Sequence, residues 1–296
     1  MNERDLRYFC SLVETGNYTA TAAQFHVTQP AISAALKRLE ADYQTTLLTQ
    51  ANHRAQLVTT AAGRILYIKA NQLLKDFSQM ALEVQHANDR QVRLGFSHVA
   101  GGIWLPRLIK KFITVHLLDQ VTTTVADSEQ LLADLRRGKL DAAVFSSLVP
   151  EQSADLRVNI LEEHQLQILV NVNSPLSHLE TVRATDLKGV PIIARPKHAL
   201  PRLALAQYCQ QSHIQPNIIY EAATNALVEG LVAQNIGVGL VIADSVVLSD
   251  QVVGIPLASQ AQLHCYMQLA VRKSFLPNAN QQRCLDVLRQ IRRNPA

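Results

Sequence analysis

Gln29, Pro30, Ser33, Ala34, Lys37 and Arg38 share one side of a helical register that begins after Thr28, while Ile32, Leu36 and Leu39 share the other. Glutamine bonds base edges, a proline ring and an alanine methyl can touch a thymine methyl, and Ser33, Lys37 and Arg38 suit phosphate oxygens. That is chemistry suited to a DNA major groove. Arg54, further along in a polar and β-favouring stretch, suits the minor groove, where negative potential favours arginine; a solvated arginine on a surface loop is the plainer alternative. A second set, Ser97, His98, Ser128, Ser146, Arg195, Pro196 and Thr224, falls at expected strand ends and helix starts. Hydroxyls and one arginine beside free backbone N–H groups would receive a small carboxylate. Ser128 and Thr224 are also good N-caps, which is an ordinary structural use for them.

Catalytic and metal chemistry find little support. There is no GxSxG, HExxH or P-loop, and none of the ten histidines lies four residues from another. Gly237–Val238–Gly239 opens a strand instead of following one, as a close turn would. Cys10, Cys209, Cys265 and Cys284 form no CxxC pair, so neither a zinc site nor a disulfide framework is indicated, and no cofactor is expected. An enzyme is therefore not expected.

The elements that must hold these residues follow from periodicity. Leu6, Phe9, Cys10 and Val13 predict a helix over 4–14, and 18–40 reads as two helices joined at His26. Ala22 is small at the crossing, Val27 is expected buried, Thr28 is expected to cap the second helix, and Pro30 fits its first turn. Residues 46–58 suit a short two-stranded wing. From Thr60 to His86, Leu66, Ala70, Leu73, Phe77, Met80, Val84 and then Ala87 alternate spacings of four and three, a heptad seam whose natural cover is a second copy.

Beyond residue 90 strands and helices alternate: 92–97, helix 102–116, 121–127, helix 128–140 and 141–147, a β-α-β-α-β unit with a parallel sheet. A second unit follows in 164–172, 190–194, helix 199–212, 217–223, helix 224–235 and 237–243, then strand 262–272 and helix 278–293. Two α/β lobes imply a cleft between them.

Composition sets the outer bounds. The 296 residues, 48% apolar, suffice for about two domains with sizeable cores. Net charge is +4, and the first sixty residues balance Arg4, Arg7, Lys37, Arg38 and Arg54 against Glu3, Asp5, Glu14, Glu40 and Asp42, so overall charge argues nothing about nucleic acid. The start, MNERDLRYF, lacks the apolar core of a signal peptide, and no stretch approaches the ~20 apolar residues of a membrane span. A cytoplasmic location without a membrane partner is expected.

The chain resembles LysR-type transcriptional regulators over nearly its whole length. The resemblance rests on Leu6, Phe9, Gly16–Asn17–Tyr18, Ala22–Ala23, the run from His26 to Ser33, Leu39–Glu40 and Thr60 to Gly63. Leu94–Gly95, Leu105–Pro106, Phe112, Gly138 to Asp141, Pro175–Leu176 and Gly237 to Gly239 add to it. It implies an N-terminal all-α winged helix-turn-helix (1–59), a linker and dimerisation helix (60–88) and a two-lobed α/β, periplasmic-binding-protein-like effector domain (89–296). The first lobe is expected over about 89–162 and 267–296, the second over about 163–266. It further implies a homodimer or homotetramer on a double-stranded DNA operator, with activity set by a small-molecule effector, here expected to be a small organic acid. A cytoplasmic solute-binding protein without a DNA role is the alternative. Ala34–Ala35, Leu48 and Gln50 depart from the family pattern and bear on base-edge and wing contacts.

Overall fold

Asparagine opens the first two helices of the computed structural model, which describes residues 2–49, 57–86, 89, 91–258 and 263–290. Asn2 caps α1 (Glu3–Thr15) by accepting from the Asp5 N–H, and Asn17 caps α2 (Tyr18–Gln24) by accepting from Thr19 and Ala20. Helix α3 (Gln29–Tyr43) follows a tight corner. In that corner His26 adopts φ 54°, His26 N–H donates to the Ala23 carbonyl and Val27 N–H to that of Ala22. This is a Schellman ending with histidine in the left-handed position that glycine usually fills. Leu6, Phe9 and Leu12 of α1 pack with Ala22, Ile32, Ala35, Leu36 and Leu39 in one core.

Strands β1 (Leu48–Thr49) and β2 (Val58–Thr59) pair antiparallel as a short wing. The expected tip, including Gln50 and Arg54, lies outside the described residues. Thr60 ties the wing to α4 (Ala61–His86): its hydroxyl donates to the Thr46 and Leu47 carbonyls and receives the Gly63 N–H. A side chain at Gly63 would place its Cβ 2.1 Å from the Leu47 carbonyl oxygen, so only glycine permits this approach. The expected heptad seam divides in two. Leu66, Ala70 and Leu74 complete the core of their own unit, whereas Leu73, Phe77, Met80 and Val84 remain exposed. Ala87 lies outside the described residues.

Residues 87–296 form the second of two compact units. Its first lobe is built on β3 (Val92–Phe96), α5 (His98–Thr114), β4 (Val121–Val125), α6 (Ser128–Arg136) and β5 (Ala142–Ser147). Strand β3 runs parallel to both β4 and β5. Strand β6 (Leu156–Asn171) and β11 (His264–Arg272) pair with each other and extend the sheet antiparallel, giving the order β4-β3-β5-β11-β6. Helices α5 and α9 (Ala279–Gln290) cover one face through Trp104, Leu108, Phe112, Leu285 and Leu288. Helix α6 covers the other through Leu131 and Leu135.

The second lobe uses the far half of β6. It pairs antiparallel with β9 (Gly239–Ile242) and with β10 (Val252–Pro256). Strand β7 (Pro191–Ala194) runs parallel to β8 (Asn217–Glu221) and touches Val238 through Ile192. Helix α7 (Leu200–Gln211) packs Ala204, Leu205 and Tyr208 on one side, and α8 (Asn225–Ala233) packs Val228 and Val232 on the other.

Three expectations change. Helix α5 starts at His98, not at residue 102, because Ser97 caps it by accepting the Ala100 N–H, so that Gly101 too lies within the helix. The strand expected to begin at 164 begins at Leu156, and β10 is an addition. Helix α6 ends at Arg136, where Gly138 at φ 76° turns the chain.

Candidate nucleic-acid interface and effector cleft

Helix α3 divides as its register requires. Ile32, Ala35, Leu36 and Leu39 are buried, Gln29, Pro30, Ala34, Lys37 and Arg38 are exposed, and Ser33 is half-buried. Thr28 occupies the N-cap position, but its side chain makes no capping hydrogen bond, and Val27 is half-buried, not buried. With Pro30 in the first turn, one backbone N–H that a cap would have to satisfy is missing already. Arg38 differs from Lys37. Its guanidinium is held by Asp5 of α1, which leaves Lys37 as the more available cation on this face. Glu40 points back toward the wing, where its carboxylate accepts the Leu47 N–H at 2.8 Å.

The second set of predicted residues separates into two groups. In the first lobe, the Ser97 and Ser146 hydroxyls lie 3.1 Å apart and buried, and the Ser128 hydroxyl donates to the Ser146 carbonyl at 2.9 Å. Asp127, not Ser128, is the cap residue of α6, and His98 Nε2 lies 3.7 Å from its carboxylate. In the second lobe, Arg195 donates to the Ala222 carbonyl at 3.1 Å, and Thr224 caps α8 by accepting the Leu227 N–H. Burial lowers the Arg195 pKa, and no ion pair is found for it among the described residues. Pro196 is half-buried beside it. The two lobes approach here: His198 Nε2, just beyond Pro196, lies 3.8 Å from the Asp127 carboxylate.

Sequence reasoning passed over the polar cluster on the strands that join the lobes. Trp104 Nε1–H donates to Glu162 at 3.2 Å, and His164 Nε2 lies 3.2 Å from the same carboxylate, with Asp244 3.9 Å from Nδ1. The available signal is the run of polar residues from Glu162 to Gln165 shortly before the apolar Ile168 to Val170 in one strand, with Glu162 and His164 two apart and therefore on the same face.

Residues 85–292 match the model of the LysR substrate binding domain, and residues 3–64 match that of the bacterial regulatory helix-turn-helix protein, lysR family. The chain belongs to the LysR family. As a LysR-family protein it is a DNA-binding transcriptional regulator with an effector-binding domain, and not an enzyme. The HTH-type transcriptional regulator AlsR of Bacillus subtilis (strain 168) is 28% identical over 282 residues, covering 92% of this chain and 91% of AlsR. A hydrogen peroxide-inducible genes activator of Dickeya chrysanthemi is 26% identical over 244 residues, covering 81% of this chain and 78% of that one. Among solved structures, full-length CbnR complexed with its target DNA has the same fold, with a TM-score of 0.54 at 20% identity over 98% of this chain and 99% of that one. Among the described residues no helix is long and apolar enough to cross a membrane.

Proposed function

We propose that this LysR-family regulator inserts the leading edge of α3 into the major groove of an operator, with Gln29, Pro30, Ser33 and Ala34 toward base edges and Thr28, Lys37 and Arg38 toward the backbone. The observation that carries this is the division of α3, in which Ile32, Leu36 and Leu39 are buried and Gln29, Pro30 and Lys37 face water. Arg54 is assigned to the minor groove from its position in the sequence alone. A homodimer, or a tetramer built from two, supplies two heads for two half-sites about one helical turn apart. Leu73, Phe77, Met80 and Val84 on α4 are its seam, because an exposed apolar stripe of this length is stabilised by a matching helix. The working divisions are 1–59, 60–88 and 89–296, and the setting is the cytoplasm.

For the effector, the reading is a small organic acid held between the lobes. Ser97, His98, Ser128 and Ser146 would supply hydroxyls, an imidazole and the first turns of α5 and α6, while Arg195, Pro196 and Thr224 would close from the other side. The support is Arg195, a desolvated guanidinium whose observed partner is a neutral carbonyl. An ionised acid is the partner it lacks. A peroxide signal, as in the Dickeya chrysanthemi relative, is disfavoured: Cys10, Cys209, Cys265 and Cys284 are all buried, and burial raises each thiol, whereas oxidation needs an accessible thiolate.

The decisive experiment is a titration of the protein's own upstream DNA and of scrambled DNA with wild type and Gln29→Ala. Gln29→Ala should lower the ratio of specific to non-specific affinity by about 1–3 kcal/mol. An unchanged ratio would refute the proposed docking.

A further inference from the structure

Strand β6 carries the chain from one lobe into the other. It pairs with β11 of the first lobe from Leu156 to Gln165 and with β9 of the second from Leu166 onward, so the change of partner falls between Gln165 and Leu166. Glu162 and His164 stand just before that point, two apart and so on one face of the strand. The side chain of His164 is 3% exposed and that of Glu162 10%. Asp244 reaches the same place from the second lobe: it adopts φ 65° shortly after β9, where the Ala243 N–H donates to the Gln165 carbonyl.

A buried imidazole therefore stands between two acids. Nε2 of His164 lies 3.2 Å from Glu162 Oε2, and its Nδ1 lies 3.9 Å from Asp244 Oδ2. The same Glu162 oxygen accepts the indole N–H of Trp104, a fully buried residue of α5. Trp104 of the first lobe, Glu162, His164 and Asp244 of the second thus form a chain across the crossover. The cross-strand neighbour of His164 on β11 is Cys265, whose thiol burial pushes up to about 12, so it stays neutral. Glu163 and His264, one residue along their strands from His164 and Cys265, alternate to the opposite face. A neutral imidazole has a single N–H and can donate to one of the two carboxylates, whereas an imidazolium donates to both.

We infer that Glu162, His164 and Asp244 are a pH-sensitive tie between the lobes, closed when His164 carries a proton on both nitrogens and opened toward Asp244 when it loses one. The two acids favour the charged ring and burial opposes it. The tie is complete at the acid end and is lost as pH rises through the histidine's titration, which frees the hinge at alkaline pH whatever the cleft holds. Trp104 is the only tryptophan of the chain, so its emission reads the cluster directly. The test records that emission in the full-length protein from about pH 5.5 to 9 at fixed ionic strength. The expected result is one step that is absent in His164→Gln and that moves down by about half a unit or more in Asp244→Asn, which removes one of the two favouring charges. Hydrogen exchange of the Ala243 and Asp244 amides, corrected for its intrinsic dependence on pH, should quicken above the same midpoint in wild type and show no such change in His164→Gln. Absence of the step, a step that survives His164→Gln, or a midpoint unmoved in Asp244→Asn overturns the inference. So does a step in emission without the matching change in exchange, which would make His164 a titrating residue that ties nothing.

Discussion

The guanidinium of Arg38 clasps the carboxylate of Asp5 at two points, Nη2 to Oδ1 at 2.6 Å and Nε to Oδ2 at 3.1 Å. The two side chains sit differently, with Asp5 2% exposed and Arg38 55%. The hydrogen bond to Asp5 is the main cause that raises the Arg38 pKa. The pair thus joins α3 to α1 at the edge of the surface proposed to face DNA and makes Arg38 a tie within the head as well as a surface cation.

Lys37 and Arg38 should therefore respond differently to truncation. Arg38→Ala leaves a buried carboxylate without its cation, so its melting temperature should fall clearly below that of Lys37→Ala. Lys37→Ala should keep the wild-type melting temperature and reduce the slope of log affinity against log salt by about 1. Thermal melts and operator titrations across several salt concentrations check both, and equal melting temperatures would show that the Asp5 clasp contributes nothing.

Two backbone positions should be intolerant for different reasons. At His26, φ 54° penalises a β-branched side chain, so His26→Ile should lose about 1–2 kcal/mol in urea unfolding, whereas His26→Gly should lose none. At Gly63 the backbone oxygen of Leu47 stands 2.1 Å from where a Cβ would lie, so Gly63→Ala should lose about 1–3 kcal/mol by forcing α4 away from the wing.

Within the proposed cleft, Arg195 and Ser97 separate binding from folding. Arg195→Gln should abolish thermal stabilisation by small organic acids with little change in the unliganded protein, because its observed bond is to a single carbonyl. Ser97→Ala removes the cap of α5 and should cost about 0.5–2 kcal/mol even without ligand. Stabilisation confined to neutral or cationic compounds would contradict the organic-acid reading.

The cysteines set an alkaline limit. Burial pushes the thiol of Cys265 up to about 12 and those of Cys10 and Cys284 up to about 11, from 9.0 in the exposed chain. Between those values the unfolded chain has released protons that the folded chain retains, so the contribution is whole below pH 9.0 and is lost as pH rises toward 11 and 12. Urea unfolding should show stability declining above pH 9.0, and Cys265→Ala should flatten that decline. Native protein at neutral pH should resist thiol-specific labelling at all four positions, with labelling appearing on denaturation.

Local chemistry made the head legible from the chain alone. The spacing of Ile32, Leu36 and Leu39, the proline in the first turn of α3 and the helical repeat of Leu6 and Phe9 are short-range signals, and each is met where it was expected. The alternation of strands and helices from Val92 to Ser147 was equally readable, because a parallel unit with helices on both faces needs strands separated by amphipathic helices that lay their apolar sides on the sheet. Boundaries were harder. Nothing local distinguishes Ser97 as the cap of α5 from Ser97 in a loop before two glycines; the choice follows from where its N–H meets the Val144 carbonyl on the neighbouring strand.

Partnership across long sequence separations was decided only by tertiary structure. Asp5 finds Arg38, Asp127 finds His198, Trp104 finds Glu162, and the front of the α4 seam turns into the core of its own unit. None of these is encoded by periodicity, since periodicity specifies which face of an element is apolar and leaves open what will cover it. A polar group, likewise, carries its charge and donors in the sequence, but its energy depends on the partner and the burial that the assembled chain provides.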